Sequence, residues 1–125
     1  MNNKKDTFQE RVDPWLLHCF GEVISRDKIE RNHRFLEESL ELVQSIGCTK
    51  EEAYILVDYV FDRKIGDPTQ EVGGVMVTLA ALCLANGLDM HKDGETELFR
   101  IKDPEVMNSI REKQLKKPKS SPLPQ

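Results

Sequence analysis

Apolar side chains recur along this chain at helical spacing, and residues typical of helix ends separate the repeats. The pattern predicts five helices, at about 14–25, 28–46, 50–61, 68–85 and 104–116. No segment of useful length alternates apolar and polar residues with period two, so we expect no sheet. The predicted fold class is therefore all-α, a bundle of four to five helices.

The predicted helix starts carry capping signals. Aspartate followed by proline, a cap acceptor before a first-turn proline, precedes three of them, at Asp13, Asp67 and Asp103. The other two fit the reciprocal pattern in which an acid three residues later bonds back to the cap, with Asp27 and Thr49 as caps. These signals predict the residues at which the helices begin.

The helix predicted at 68–85 is apolar on all sides after Glu71, so it should be buried on all sides. A chain of this size rarely encloses a whole helix, and sharing it with a second subunit is the simpler interpretation. We therefore expect a homodimer or homotetramer, the alternative being that the other four helices cover it. Gly73 and Gly74 each cost about 1 kcal/mol relative to alanine. Close helix packing or a ligand would offset that cost.

Length, charge and cysteine content restrict the class of protein to which the chain can belong. A chain of 125 residues predicts one domain over 1–116, followed by a flexible proline-rich tail over 117–125. The net charge of −4 argues against a nucleic-acid partner. We see no apolar run long enough to span a bilayer and no signal peptide, so we expect a cytoplasmic protein without membrane contact. Cys19, Cys48 and Cys83 have no zinc or CxxC spacing and should be reduced thiols.

Three carboxylates lie on one arc of the helix predicted at 28–46. At about 100° per residue, Glu37, Glu38 and Glu41 fall within roughly 100° of one another together with Arg34. Leucines and other apolar residues occupy the opposite side. Because three neighbouring acids repel one another, the cluster indicates a hard cation such as magnesium, manganese or calcium.

The acid pattern resembles a known superfamily. Glu38-x-x-Glu41, then Glu71 opening an apolar helix that ends in 86–89 (Asn-Gly-Leu-Asp), is similar to the all-α nucleoside triphosphate pyrophosphohydrolases. This is the MazG-like superfamily, and the small phage-encoded members of the MazZ type resemble the chain most. The resemblance covers roughly residues 27–90, about half the chain.

The resemblance implies an enzyme that converts a (deoxy)nucleoside triphosphate and water to the monophosphate and pyrophosphate. It implies Mg²⁺ or Mn²⁺ as the cofactor, purine substrates (dGTP or dATP) weakly preferred, and the cytoplasm of a bacterial host if the gene is phage-encoded. Catalytic roles fall to Glu37, Glu38 and Glu41. Metal ligation falls to Glu38, Glu41 and Glu71.

Substrate contacts are expected from Arg34, Lys113 and Trp15. Each candidate also has a simpler interpretation. Arg34 would pair with Glu38 or Glu41, Lys113 would belong to a solvated face, and Trp15 would pack in the core with Phe20. In the same way, Glu37 would be a surface charge, and Glu71 would stabilise a helix N-terminus.

One position departs from the superfamily pattern. Gly74 stands where the last acid of the second motif is expected. Four aspartates are candidate replacements, namely Asp58, Asp62, Asp67 and Asp89. The departure leaves open a non-catalytic helical interaction protein that lost its activity through Gly74, or a hydrolase of another pyrophosphate compound. A calcium- or magnesium-binding module is a further alternative, although no EF-hand loop is present.

Overall fold

The computed structural model describes residues 6–117, and this part of the chain contains six helices and no strand. The helices are α1 (Phe8–Arg26), α2 (Lys28–Ser45), α3 (Lys50–Phe61), α4 (Pro68–Asn86), α5 (Met90–Ile101) and α6 (Pro104–Gln114). The all-α prediction is confirmed. The chain forms two compact units, one from the residues up to Leu36 with those from His91 onwards, the other from Glu37–Met90.

α1 begins earlier than predicted. The Thr7 hydroxyl accepts a hydrogen bond from the Glu10 amide at 3.1 Å, and the Glu10 carboxylate accepts one from the Thr7 amide at 2.8 Å. This capping box starts the helix, and Pro14 therefore lies in its interior. The prediction that Asp13 is the N-cap is wrong, because its carboxylate instead pairs with Arg26 at 2.8 Å.

α1 is interrupted near its end. Gly21 has φ 82° and ψ 174°, a backbone conformation that glycine adopts without a steric penalty. Arg111 of α6 donates hydrogen bonds to the carbonyl oxygens of Cys19, at 2.8 Å, and His18, at 3.1 Å. The guanidinium thus satisfies carbonyl groups just before the break and joins α6 to α1.

α2 starts at the predicted cap. The Asp27 carboxylate accepts hydrogen bonds from the amides of Ile29, at 3.0 Å, and Glu30, at 3.1 Å. The Glu30 side chain is fully buried and accepts from Gln114 of α6 at 3.0 Å. It therefore serves helix packing and not the reciprocal cap that the sequence suggested. At the other end, Gly47 at φ 103° follows the helix.

α3 and α4 begin as predicted. Thr49 forms the complete capping box at α3, and the Asp67 carboxylate accepts from the Gln70 amide at 3.1 Å at α4. Gly87 ends α4 in the left-handed conformation with φ 65°. The caps Asp27, Thr49 and Asp67 accept hydrogen bonds from amides two or three residues ahead, so the local sequence identifies them.

The single chain leaves the apolar side chains of α3 and α4 exposed. Phe61 at the end of α3 is 82% exposed, and Val77 and Leu84 of α4 are 69% and 83% exposed. Among the buried residues of the described chain, α4 contributes Cys83. Most of α4 is therefore exposed in the described chain, and its cover by a second subunit stays a prediction.

α4 also has the length and apolar character of a membrane-spanning helix. It has 19 residues with a hydropathy of 1.3 in its most apolar window. The prediction that no apolar run reaches bilayer length is wrong for this helix. Shared core helices of soluble proteins have the same length and composition, so this property alone does not assign a location.

α5 was not predicted from the sequence. It contacts α1 through an ion pair of Glu95 with Arg11, and Gly94 faces the Phe8 ring; Leu98 of α5 is 3% exposed. The segment is short, polar overall and has a glycine in its middle, although its apolar residues keep to one helical face.

The remaining local predictions agree with the described structure. Asp103 caps α6 by accepting from the amides of Glu105 and Val106, and the helix ends two residues before the predicted 116. All three cysteines are free, with Cys19 and Cys83 buried and Cys48 half-buried. The predicted tail lies outside the described residues from position 118 onwards.

Candidate functional site

α2 presents the acidic cluster. The helix is continuous from Lys28 to Ser45, so Glu37, Glu38 and Glu41 keep the helical spacing on which their common arc depends. Glu38 and Glu41 are exposed and Glu37 is half-buried. Two of the three carboxylates are therefore open to solvent one turn apart, with the third at the edge of the buried surface.

Glu71 lies in the first turn of α4, and its side chain folds back over the preceding loop. A Cβ atom built on Gly66 would lie 3.2 Å from Glu71 Cδ and would overlap with Oε2. The carboxylate thus occupies the space above the Gly66 backbone. Its position at the helix N-terminus also stabilises α4, as the simpler interpretation proposed.

The single chain does not gather these acids into one metal site. Among residues 6–117, no three His, Cys, Asp or Glu side chains lie together so that they could hold a metal ion. The exposed pair Glu38 and Glu41 nevertheless fits the chemistry of magnesium, which in phosphate-handling sites uses one or two protein carboxylates and keeps several waters. Glu71 is not part of a three-acid group in this conformation.

The space beside Gly74, where an acid was expected, is empty in the described structure. A Cβ atom at this position would meet nothing within 4 Å, and the Gly74 carbonyl accepts a hydrogen bond from Thr78 at 2.9 Å. Asp67, one candidate replacement, uses its carboxylate as the α4 cap. Asp58 and Asp62 occupy the last turn of α3 and its end, where the Asp62 amide bonds to the Asp58 carbonyl.

Arg34 belongs to a buried charge cluster that the sequence analysis did not identify. Its Nε atom lies 3.6 Å from Glu30 Oε2, and its side chain is 17% exposed. The same oxygen accepts from Arg31 at 2.9 Å and from Gln114 at 3.0 Å. An acid one turn before Arg34 was the available signal, since positions i and i+4 face one another on a helix.

Trp15 has a structural role. Its indole N–H donates to the Ile101 carbonyl at 2.8 Å, and its ring meets Phe20 edge to face with centroids 6.0 Å apart. These contacts support the core interpretation. The half-buried ring also lines an open groove of about 630 Å³, which Arg11, His18 and Lys102 border.

Lys113 is exposed on the last turn of α6, and its charge there favours the negative end of the helix dipole. Like Trp15 and Arg34, it belongs to the unit built from the two ends of the chain, whereas all four predicted acids belong to the Glu37–Met90 unit. Its neighbour Arg111 is committed to the backbone of α1.

Cys19 does not have the properties of a nucleophilic cysteine. Burial raises the pKa of the Cys19 thiol, and the nearby Arg111 guanidinium offsets this effect in part. A raised pKa disfavours the thiolate, which is the nucleophilic form. The side chain is therefore a packing residue.

Comparison of the chain with protein-family models, with curated proteins and with solved structures finds no match. The functional argument consequently depends on the residues themselves. The strongest element is the spacing of the carboxylates on α2, which a solvated helix face without a ligand does not require.

Proposed function

We propose that this protein is a magnesium- or manganese-dependent (deoxy)nucleoside triphosphate pyrophosphohydrolase, with a weak preference for purine nucleotides (dGTP or dATP). The observation that carries the proposal is the group Glu37, Glu38 and Glu41 on one continuous helix. Neighbouring carboxylates repel one another, and a divalent cation with oxygen ligands would offset that repulsion. The resemblance to the MazG-like superfamily supports the same assignment.

In this proposal Glu38 and Glu41 hold the metal, because both are exposed and one turn apart. Glu71 completes the ligand set when its carboxylate turns away from Gly66. Bound magnesium would screen the charge of the phosphate oxygens and make a bound water more acidic. Divalent cations of this kind bind oxygen ligands, which matches the donor set of three glutamates.

Apart from holding the metal, the protein needs few further side chains for the proposed reaction. Water forms a bond to the α-phosphorus, the bond from that phosphorus to the bridging oxygen breaks, and pyrophosphate leaves in line. Glu37, half-buried beside the metal ligands, accepts the proton of the attacking water as general base. The sequence predicts Arg34 and Lys113 as sources of positive charge for the triphosphate oxygens; Lys113 is exposed, whereas Arg34 pairs with Glu30.

We also propose that a second copy of the chain covers the exposed faces of α3 and α4, giving a homodimer or homotetramer in the cytoplasm. Large apolar side chains on these helices are exposed over their whole lengths, among them Tyr54, Ile55, Leu56, Val72, Met76 and Val77. A patch of this extent marks an interaction surface, and stable interfaces bury about 800 Å² on each partner.

A non-catalytic helical interaction protein is the second candidate. Gly74 replaces an expected acid, and no group of three potential ligands is assembled within residues 6–117. These observations favour a protein that kept the helices and the exposed apolar faces but lost the chemistry. A hydrolase of a different pyrophosphate compound would keep the same acids and differ in the groups that recognise its substrate.

The proposal is tested by incubating the protein with each dNTP and NTP plus Mg²⁺ or Mn²⁺ and separating mono- from diphosphate products. We expect monophosphate and pyrophosphate, with turnover falling about 100-fold or more in Glu38→Gln and Glu41→Gln, because transition-state charge loses its counterion. Glu51→Gln, an exposed acid in the first turn of α3, is the matched control and should remain active.

Two results would separate the candidates. A folded protein that turns over no nucleotide and gains no thermal stability from metal would refute the enzyme and favour the interaction protein. Turnover of other pyrophosphate compounds, but of no nucleoside triphosphate, would favour the related hydrolase.

A further inference from the structure

The open groove beside Trp15 is lined by apolar side chains from two helices. Pro14 and Trp15 belong to α1, and Pro104 and Met107 belong to α6. Its volume of about 630 Å³ lies within the range of about 300–1,000 Å³ that is typical of ligand pockets. We propose that this groove binds residues 118–125 of the same chain as an extended polyproline II segment.

The groove offers apolar contact more than free hydrogen-bonding groups. The Trp15 indole N–H donates to the Ile101 carbonyl at 2.8 Å, and the Arg11 guanidinium pairs with Glu95 at 2.7 Å. The Trp15 ring is half-buried and Pro14 is exposed, so both present apolar surface to a ligand. Grooves lined by aromatic rings bind proline-rich segments, because proline contributes an apolar ring and has no backbone N–H.

The segment that follows α6 has the matching composition. Pro122 and Pro124 flank Leu123, and no residue from 120 to 125 is charged. Proline-rich sequences favour the polyproline II conformation before they bind, so little conformational entropy is lost on docking. Entry of these residues into an apolar groove also removes no charge from water.

The segment is long enough to reach the groove. Met107 precedes Lys117 by ten residues, a distance of about 15 Å at the rise of an α-helix. The five residues from Lys117 to Pro122 span about 15 Å in a polyproline II conformation. A segment that turns back along α6 therefore brings Pro122 level with Met107. Such a short linker gives an effective concentration in the millimolar range, which favours this segment over a free peptide.

Trp15 is the only tryptophan of the sequence, so its fluorescence reports on the groove. The test compares acrylamide quenching of this fluorescence in wild type and in a full-length triple variant, Pro122→Ser with Leu123→Ser and Pro124→Ser. We expect the wild-type ring to be protected from the quencher and the triple variant to lose this protection. Nuclear Overhauser effects between the Trp15 ring and the Leu123 methyl groups should be present in wild type.

Pro118→Ser is the matched control. This position immediately follows Lys117, before the segment reaches the level of Met107, so the variant should keep the protection of Trp15. Thermal unfolding followed by circular dichroism should give the wild-type melting temperature for both variants, because the substitutions lie outside the six helices.

Equal quenching of wild type and the triple variant, or the absence of the Overhauser effects in wild type, would overturn the proposal. So would Overhauser effects that connect labelled and unlabelled chains in a mixed sample, since these would assign the groove to the segment of a second copy. None of these measurements depends on nucleotide hydrolysis, so their failure would leave the proposed function standing.

Discussion

The charged side chain of Arg111 on α6 donates hydrogen bonds to backbone carbonyl groups of α1. Its guanidinium bonds to the carbonyl oxygens of His18 and Cys19 ahead of Gly21, where α1 loses its regular hydrogen bonding. Lys113, two residues later on α6, is exposed and is the residue proposed to meet phosphate. We thus assign Arg111 to stability and Lys113, on the same helical turn, to substrate binding.

We predict that Arg111→Met lowers the free energy of unfolding by about 1–3 kcal/mol, because the partly buried Cys19 carbonyl and the exposed His18 carbonyl lose a charged donor. Urea denaturation followed by circular dichroism measures this loss. Lys113→Met is the matched control and should keep the wild-type stability while raising KM for the nucleotide. Equal stability of the two variants would contradict the role of Arg111.

Sequence reasoning succeeded for residues whose partners are local. Thr49 and Asp67 are caps as predicted, because each bonds to an amide three residues ahead. It did not identify partners that lie further along the chain. The Asp13 carboxylate binds Arg26, and the Trp15 indole binds the Ile101 carbonyl, pairings that no short window of sequence reveals.

At the scale of elements, α2 was predicted and α5 was missed. The 3.6-residue period of α2 fixed its extent and the arc shared by Glu37, Glu38 and Glu41. The apolar residues of α5 lie on one face about as clearly as those of α2, but the segment is short, contains Gly94 and buries Leu98. An ion pair between Glu95 and Arg11 ties α5 to α1.

This ion pair predicts a pH dependence of stability. The hydrogen bond from Arg11 holds the pKa of Glu95 below its ordinary value of 4.5. A depressed pKa in the folded state stabilises the protein above that ordinary value, and the contribution is lost as the pH falls through the lowered value. Both side chains are substantially exposed, so solvent screening keeps the contribution small.

Urea denaturation of wild type and Glu95→Gln measures the effect. Wild type should be the more stable at about pH 7, and the difference should disappear at about pH 2. In an Arg11→Met background, Glu95→Gln should change little at either pH. A difference that persists in acid, or that survives in this background, would contradict the assignment to the ion pair.

On the scale of the whole molecule, the unit Glu37–Met90 combines the predicted acids with exposed apolar helices. The sequence predicted that α4 needs cover on all sides, and the chain itself does not provide it. Likewise, a Cβ atom built on Gly73 or Gly74 would meet nothing within 4 Å among residues 6–117 apart from its chain neighbours and its own helix backbone. In the proposed assembly, a second copy would provide the close approach that offsets the cost of two glycines in a helix.

Sedimentation equilibrium tests this assembly. We expect the mass of a dimer or tetramer at micromolar concentration, and a monomer for Val77→Asp, which places a charge on a side chain that is 69% exposed in the single chain. Circular dichroism should show that the variant remains helical. A wild-type monomer would refute the shared helix, and partition of the protein into lipid vesicles would favour a membrane partner for α4.

The most direct measurement of the central claim is hydrolysis of dGTP with Mg²⁺ in water enriched in ¹⁸O, with the products analysed by mass spectrometry. Attack of water on the α-phosphorus puts the label in the monophosphate and leaves the released pyrophosphate unlabelled. The account predicts this outcome for wild type and its loss in Glu41→Gln. Label in pyrophosphate or in inorganic phosphate, or no reaction of the folded wild-type oligomer with any nucleotide, would contradict it.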